Sequence, residues 1–268
     1  MSILQLLFIF VFIIAVIIIL FIVYVIMAPE MRLKKKDKEF KKRSCRSHLS
    51  SSPTYQYQSS TLENIGQSDA NTKSGLFIVF DTETTGLPSD YSAPASQVNR
   101  WPRLVQLSWI IIYSRSGNVI KRENHIIKPE DYKIPKNATA IHGITTEYAT
   151  EKGEDLETVL KAFTKDYNNA DAAVGHNVNF DFKVVSAELY RKKLPKLKTI
   201  KKYCTKKLGT SVCCIPKEWG NGFKWPTLQE LYRFLFNQPF NGGHEAGADA
   251  EAARRCFVEL MKRGDVPD

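Results

Sequence analysis

The run Leu76-Phe77-Ile78-Val79-Phe80 passes without a break into Asp81-Thr82-Glu83-Thr84-Thr85-Gly86. A short continuous apolar run bounded by polar residues reads as a strand buried inside a sheet. On an extended backbone, residues i and i+2 point the same way. Asp81 and Glu83 therefore leave the end of a buried strand side by side. Carboxylates that close raise each other's pKa unless a cation sits between them. Hard oxygen donors at this spacing suit Mg²⁺ or Mn²⁺. Asp-x-Glu is a common triplet, however, and by itself is equally a solvated strand end. The rest of the chain decides between the two.

The sequence after this strand keeps changing period. Leu87 to Pro102 is polar and reads as a surface loop. Leu104 to Tyr113 begins in alternation and ends as an apolar run, Ser116-Gly117 marks a turn, and Val119 to Ile127 reads as a partner strand. Three strands joined in this way form an antiparallel meander. From Asp155 the period becomes helical, with Leu156, Val159, Leu160, Phe163 and Tyr167 on one face and Asp155 as N-cap. Ala172-Ala173-Val174 is a short strand, Phe180 to Arg191 a helix, and Ile200 to Cys204 a further strand. Thr227 and Glu230 have the spacing of a capping box for a helix to Phe236. A last helix runs from about Gly247 to Lys262, with Ala248, Ala252, Cys256 and Leu260 on one face and Gly264 beyond its end. The expectation is an α/β domain: a mixed five-stranded sheet, three antiparallel strands then parallel ones, flanked by helices.

The amino terminus has a different character. Residues 3 to 27 are apolar apart from Gln5. As a helix they would extend roughly 37 Å at 1.5 Å per residue, and a bilayer core takes about 20 residues. This is a candidate transmembrane helix. A cleaved signal peptide would want a basic leader, and only Met1 and Ser2 precede the run. Residues 31 to 46 then carry nine basic side chains against Asp37 and Glu39, a net +7 of the chain's +10. That asymmetry predicts a cytoplasmic side for everything after the span, although a basic run can also meet anionic lipid or nucleic acid. Residues 47 to 74 are rich in Ser, Thr, Gln and Asn, the composition of a flexible linker. The expected organisation is an anchor over 1–28, a basic segment and linker over 29–74, and a folded domain over 75–268. The five cysteines include the adjacent pair Cys213-Cys214 and show no zinc spacing, which suggests free thiols in a reducing compartment.

Two further clusters complete the chemistry. His176-Asn177-Val178-Asn179-Phe180-Asp181 places an aspartate where a strand gives way to a helix, and His244-Glu245-Ala246-Gly247-Ala248-Asp249 places a histidine five residues before another. Taken singly, Asp181 and Asp249 are helix N-terminal charges favoured by the dipole, and His244 is a loop residue. Taken in order with Phe80-Asp81-Thr82-Glu83, they resemble the three motifs of the DEDDh exonuclease family. Ile141-His142-Gly143-Ile144-Thr145 resembles the family segment between the first two motifs. The likeness covers roughly residues 75 to 262.

The resemblance implies an RNase H-like fold, two divalent metals (Mg²⁺ or Mn²⁺), and removal of nucleoside 5′-monophosphates from the 3′ end of nucleic acid, DNA being favoured. It implies that Asp81 bridges both metals, Glu83 and Asp249 complete one site, Asp181 holds the second metal, and His244 is the general base. It also implies that Thr84, Thr85 and Gly86 approach the terminal nucleotide, with His142, Asn177 and His176 as weaker contacts. Four carboxylates offset the charge of two divalent cations, and a histidine can accept the proton of an attacking water near neutral pH.

The sequence departs from the family in three places. It reads Lys202-Tyr203-Cys204-Thr205 where many relatives carry an Asp-Thr pair, and its loop from Leu87 to Pro102 is long. Nineteen residues follow Asp249, so no polymerase-binding tail is evident. The expected partners are a nucleic-acid 3′ end and, through residues 3–27, a membrane. The alternatives are an RNA-trimming enzyme of the same chemistry and a non-catalytic, membrane-tethered nucleic-acid binder.

Overall fold

A computed structural model describes residues 75–267. The candidate membrane span, the basic segment and the linker lie outside these residues. Among the described residues no helix is long and apolar enough to cross a membrane.

The meander forms as expected. Strand β1 (Leu76–Thr84) pairs antiparallel with β2 (Leu104–Tyr113), which pairs antiparallel with β3 (Val119–Ile126). On the other side of β1 lie two parallel strands, β4 (Ala172–Gly175) and β5 (Lys201–Cys204), giving the sheet order β3-β2-β1-β4-β5. The apolar run has become the central strand because both its faces are covered. Ile78 and Phe80 join a core with α3 (Leu156–Asn169) and α4 (Val178–Arg191), built around Phe163, Tyr167, Val184 and Val185. Val79, one residue out of phase, packs on the other face against Ala250, Ala253 and Phe257 of α7 (Ala246–Lys262). The two-residue period thus sends alternate side chains of β1 to two different helical layers.

Helix signals in the sequence correspond to real caps. The Asp155 carboxylate accepts from the Thr158 N–H at 2.8 Å. Thr227 and Glu230 form a reciprocal capping box at the start of α6 (Leu228–Phe236). Three short helices escaped the sequence reading: α1 (Lys136–His142), α2 (Thr146–Lys152) and α5 (Thr205–Cys213). At seven to nine residues they are too short to show a repeating apolar stripe. The buried face of α7 also differs from the expected one: Ala248 is only half-buried, while Ala246, Ala250, Ala253 and Phe257 join Ala252, Cys256 and Leu260. Cys204, Cys213 and Cys256 are free thiols. Cys214 is disulfide-bonded, so the free-thiol expectation holds for these three among the described residues and fails at Cys214.

The long loop after β1 is pinned rather than loose. Arg191 donates to the carbonyls of Val98, Trp101 and Pro102. Its Nη1 lies 2.8 Å from Glu188, whose Oε1 also accepts from Arg103 Nε (2.9 Å) and the Leu104 N–H (3.0 Å). Glu188 is completely buried, and two guanidinium groups offset the cost of holding its charge there. This knot fixes the start of β2 and, with it, the end of β1 that carries the acidic pair.

Candidate active site

The acidic residues converge at the carboxyl end of β1. The strand runs past its parallel neighbour: its pairing with β4 ends at Val79 opposite Val174, two residues before Asp81. Asp81 and Glu83 therefore lie beyond β4, on the α7 side of the sheet set by the strand period. Asp249 arrives from the first turn of α7, and one ligand oxygen from each of Asp81, Glu83 and Asp249 can be chosen so that all lie within 4.8 Å of one another. The first and third sequence motifs are thus one cluster in space.

Asp181 comes from α4, on the opposite layer. Its carboxylate accepts from the backbone N–H (3.1 Å) and the hydroxyl (2.7 Å) of Thr82, and it is almost wholly buried. Thr82 is out of phase with Asp81 and Glu83, which is why it faces α4 and can hold Asp181 beside them. The turn from β4 into α4 is tight. A Cβ on Gly175 would stand 3.0 Å from the Phe80 carbonyl oxygen and 3.2 Å from Val178 Cβ, so any larger residue would have to push the helix start away from β1 by a few tenths of an ångström. Asn177 caps α4 in a left-handed conformation (φ 86°) and makes no side-chain capping bond.

Burial and mutual repulsion dominate the electrostatics. Burial, then Asp181, Asp249 and Glu83, hold the Asp81 carboxyl well above the usual carboxylate range. Burial and the same kind of neighbours push Glu83 up to about 8, and burial pushes Asp181 up to about 7 against the opposing pull of Thr82. Burial also raises Asp249. Such a group of acids binds either protons or cations. All-oxygen donors of this hardness fit Mg²⁺ or Mn²⁺ rather than a soft metal, so the residues present fit a divalent ion.

His244 sits on the exposed loop just before α7, with a left-handed backbone (φ 68°). Its backbone N–H donates to Asp249 Oδ2 at 3.0 Å, which ties the loop at residue 244 to the acidic cluster. His142 ends α1, and burial, with a smaller contribution from the nearby His244, holds its pKa below the usual histidine value. Its Nδ1 accepts from the Ile144 N–H (3.1 Å), so in the neutral ring the proton lies on Nε2, which is buried without a hydrogen-bond partner. Thr84 and Thr85 are occupied within their own loop. Thr84 Oγ1 donates to the Gly86 carbonyl (2.7 Å), and Thr85 Oγ1 accepts from the Arg103 N–H (2.9 Å). Gly86 has φ 148° with open space around it, so its backbone alone calls for glycine. His176 is held at both ring nitrogens, by Thr205 Oγ1 (3.0 Å) and the Pro226 carbonyl (3.1 Å), and burial pushes its pKa down to about 4. It is a neutral structural tie.

One network went unread in the sequence. Glu245, the N-cap of α7, accepts from Gln106 Nε2 (2.7 Å), Asn124 Nδ2 (2.9 Å) and the Ala248 N–H (2.8 Å). Gln106 also accepts from the Ala246 N–H at 3.1 Å. These bonds fasten the start of α7 to β2 and β3 and so set Asp249 opposite Asp81. The available signal was Gln106 itself, a polar residue inside an apolar strand and directly opposite Glu83 in the sheet register.

The RNase_T family model, described as Exonuclease, matches residues 78–257, from β1 to α7. The chain belongs to this exonuclease family. Among relatives of the family member, the DNA polymerase III PolC-type of Streptococcus pyogenes serotype M2 (strain MGAS10270) is 30% identical over 129 residues, which are 48% of this chain and 8% of the polymerase. The same protein of serotype M18 (strain MGAS8232) matches equally. Among solved structures, exonuclease I of E. coli in complex with a dT13 oligonucleotide superposes with a TM-score of 0.56 at 22% identity, over 70% of this chain and 41% of that one. A zinc-bound complex of E. coli exonuclease I with single-stranded DNA gives a TM-score of 0.57 at 22% identity, over the same shares. The match to exonuclease I establishes the fold. The exonuclease-family chain spans only a small part of the polymerases and about two fifths of exonuclease I.

Proposed function

We propose that this chain is a metal-dependent 3′-5′ exonuclease that releases nucleoside 5′-monophosphates, with DNA as the favoured substrate. The observation that carries the reading is the meeting of Asp81, Glu83 and Asp249 within 4.8 Å, with Asp181 buried beside them. Asp81, Glu83 and Asp249 would hold one Mg²⁺ or Mn²⁺ ion, and Asp81 with Asp181 a second. Divalent ions in such a site supply positive charge for the attacking and leaving oxygens of a phosphodiester. Within the chain, Thr82 keeps the Asp181 carboxylate turned inward, and Gln106 and Glu245 keep Asp249 in place. His244, exposed and tethered to Asp249 through its backbone N–H, takes the proton of the attacking water as general base. The preference for DNA rests on relatives and fold neighbours that carry DNA polymerase and single-stranded DNA in their names. Full-length protein given a strand with a free 3′ hydroxyl should release 5′-mononucleotides stepwise from that end. A 3′-phosphate should protect the strand. A closed circle cut as fast as a linear strand would contradict the reading.

The location is proposed from sequence alone. The apolar span of residues 3–27 would anchor the chain, with the basic flank holding residues 75–268 on the cytoplasmic side. Asn137-Ala138-Thr139 is a glycosylation sequon, and Asn137 is exposed. Protease added to intact cells should leave residues 75–268 uncut, and Asn137 should stay unmodified in a eukaryotic host. Digestion from outside, or a glycan on Asn137, would reverse the orientation.

A further inference from the structure

The charge of the folded domain is not evenly spread. Residues 191 to 225 contain eleven Lys and Arg against the single acid Glu218. This stretch runs from the end of α4 through β5 and α5 into a two-stranded loop. That loop folds back through a bridge between Pro216 and Phe223, with hydrogen bonds from the Lys217 N–H to the Gly222 carbonyl (3.2 Å) and from the Lys224 N–H to the Ile215 carbonyl (2.8 Å). It carries two indoles into solvent: Trp219 is 87% exposed and Trp225 59%. Indole is among the largest apolar groups a chain can expose, and leaving two uncovered on one loop forgoes the burial that ordinarily stabilises them. The Lys206 ammonium stands 4.7 Å from the centre of the Trp225 ring. Lys207 and Lys217 are exposed nearby in sequence.

The loop is wired to the catalytic end of the sheet. Pro226, two residues before α6, accepts from His176, which immediately precedes Asn177 and the turn into α4. Three residues further on, Gln229 Nε2 donates to the Phe240 carbonyl (2.8 Å), in the segment that leads to His244. The end of the loop is therefore tied to the segment that leads into Asp181, and the helix that follows it to the segment that leads to His244.

We propose that Trp219 and Trp225, with Lys206, Lys207 and Lys217, form a path for single-stranded nucleic acid, on which the nucleotides behind the scissile end stack and are neutralised. The inference rests on the exonuclease reading. Stacking on aromatic rings beside lysines serves any base sequence, because every base has a flat face and every nucleotide a phosphate. The loop's hydrogen bond to His176, at the turn that leads into Asp181, and its place on a basic stretch favour a strand over a membrane surface.

The test compares full-length wild type, W219A/W225A, W219Y/W225Y and K206E/K207E/K217E. Two substrates are used below saturation: a strand of about 20 nucleotides and a dinucleotide. In W219A/W225A the ratio of long-strand to dinucleotide turnover should fall at least about tenfold, given the size of base–aromatic stacking. The tyrosine pair should recover most of that ratio. The charge-reversed variant should bind the long strand with a shallower dependence on salt than wild type. An unchanged ratio in the alanine pair, with an unchanged salt slope in the charge-reversed variant, overturns the proposal. So does loss of binding to phosphatidylserine vesicles with strand binding intact, which would make the patch a lipid contact. If wild type hydrolyses neither substrate but binds the long strand through these residues, the exonuclease reading fails and the strand path stands. If it neither hydrolyses nor binds, both fail.

Discussion

Asp81→Asn and Asp249→Asn should each lower turnover by at least about 10³-fold, while the metal-free protein melts at a higher temperature than wild type at pH 8. Activity falls because each substitution removes a charged oxygen donor where the phosphodiester's charge must be met, and several kcal/mol of transition-state stabilisation correspond to that factor. Stability rises for the opposite reason. In the metal-free fold the buried carboxylates repel one another, and asparagine removes one of them.

The pH dependence has a definite sign. Folding raises the pKa of Asp81, Glu83 and Asp181, the last two to about 8 and about 7. Between the unfolded carboxylate range near pH 4 and those values, the folded state holds protons that the unfolded state has lost. The contribution of these groups is therefore fully present below about pH 4 and disappears as pH rises towards 8. With chelator present, wild type should lose melting temperature from pH 5 to pH 8 more steeply than D81N. Added Mg²⁺ should restore it at pH 8 in wild type and far less in D81N. Each kcal/mol is worth about 2–4 °C for a domain of this size. Parallel pH curves for the two proteins would show that the acids do not strain the fold.

His244→Asn should keep strand affinity and divalent-ion affinity yet lose about 10²–10⁴ in turnover. Asparagine is the informative choice because residue 244 has φ 68°. Asparagine visits that left-handed region readily, whereas alanine would add backbone strain of roughly 1–2 kcal/mol and confuse the loss of a base with a shift of the loop. Imidazole added to the buffer should recover part of the lost rate. Near-normal turnover in H244N would leave His244 as a loop residue, and the proton would have to go elsewhere.

The parts of the fold legible in the sequence were those written in local patterns. The apolar run into Asp81-Thr82-Glu83 identified the central strand because burial on both faces leaves no alternation. Thr227 and Glu230 announced their helix because a capping box is a contact between residues three apart. The parts that were not legible depend on tertiary partners. Nothing local says that Thr82 will hold Asp181, 99 residues away, or that Glu245 will meet Gln106, 139 residues away. His176 had the look of a site residue, and only the positions of Thr205 and Pro226 show that both its nitrogens are occupied. The basic stretch of residues 191–225 was hidden for another reason. Outside residues 31–46 the chain nets only +3, because acids elsewhere offset that stretch, so a total charge could not reveal a local one.

The most direct measurement of the central claim is hydrolysis of an end-labelled single strand by the full-length protein, with the divalent ion as the only variable. The account predicts no release of mononucleotide in excess chelator, full recovery when Mg²⁺ or Mn²⁺ is added back, and no recovery in D81N at any ion concentration that saturates wild type. Undiminished release in excess chelator would contradict it, since the clustered carboxylates would then have no cation to hold.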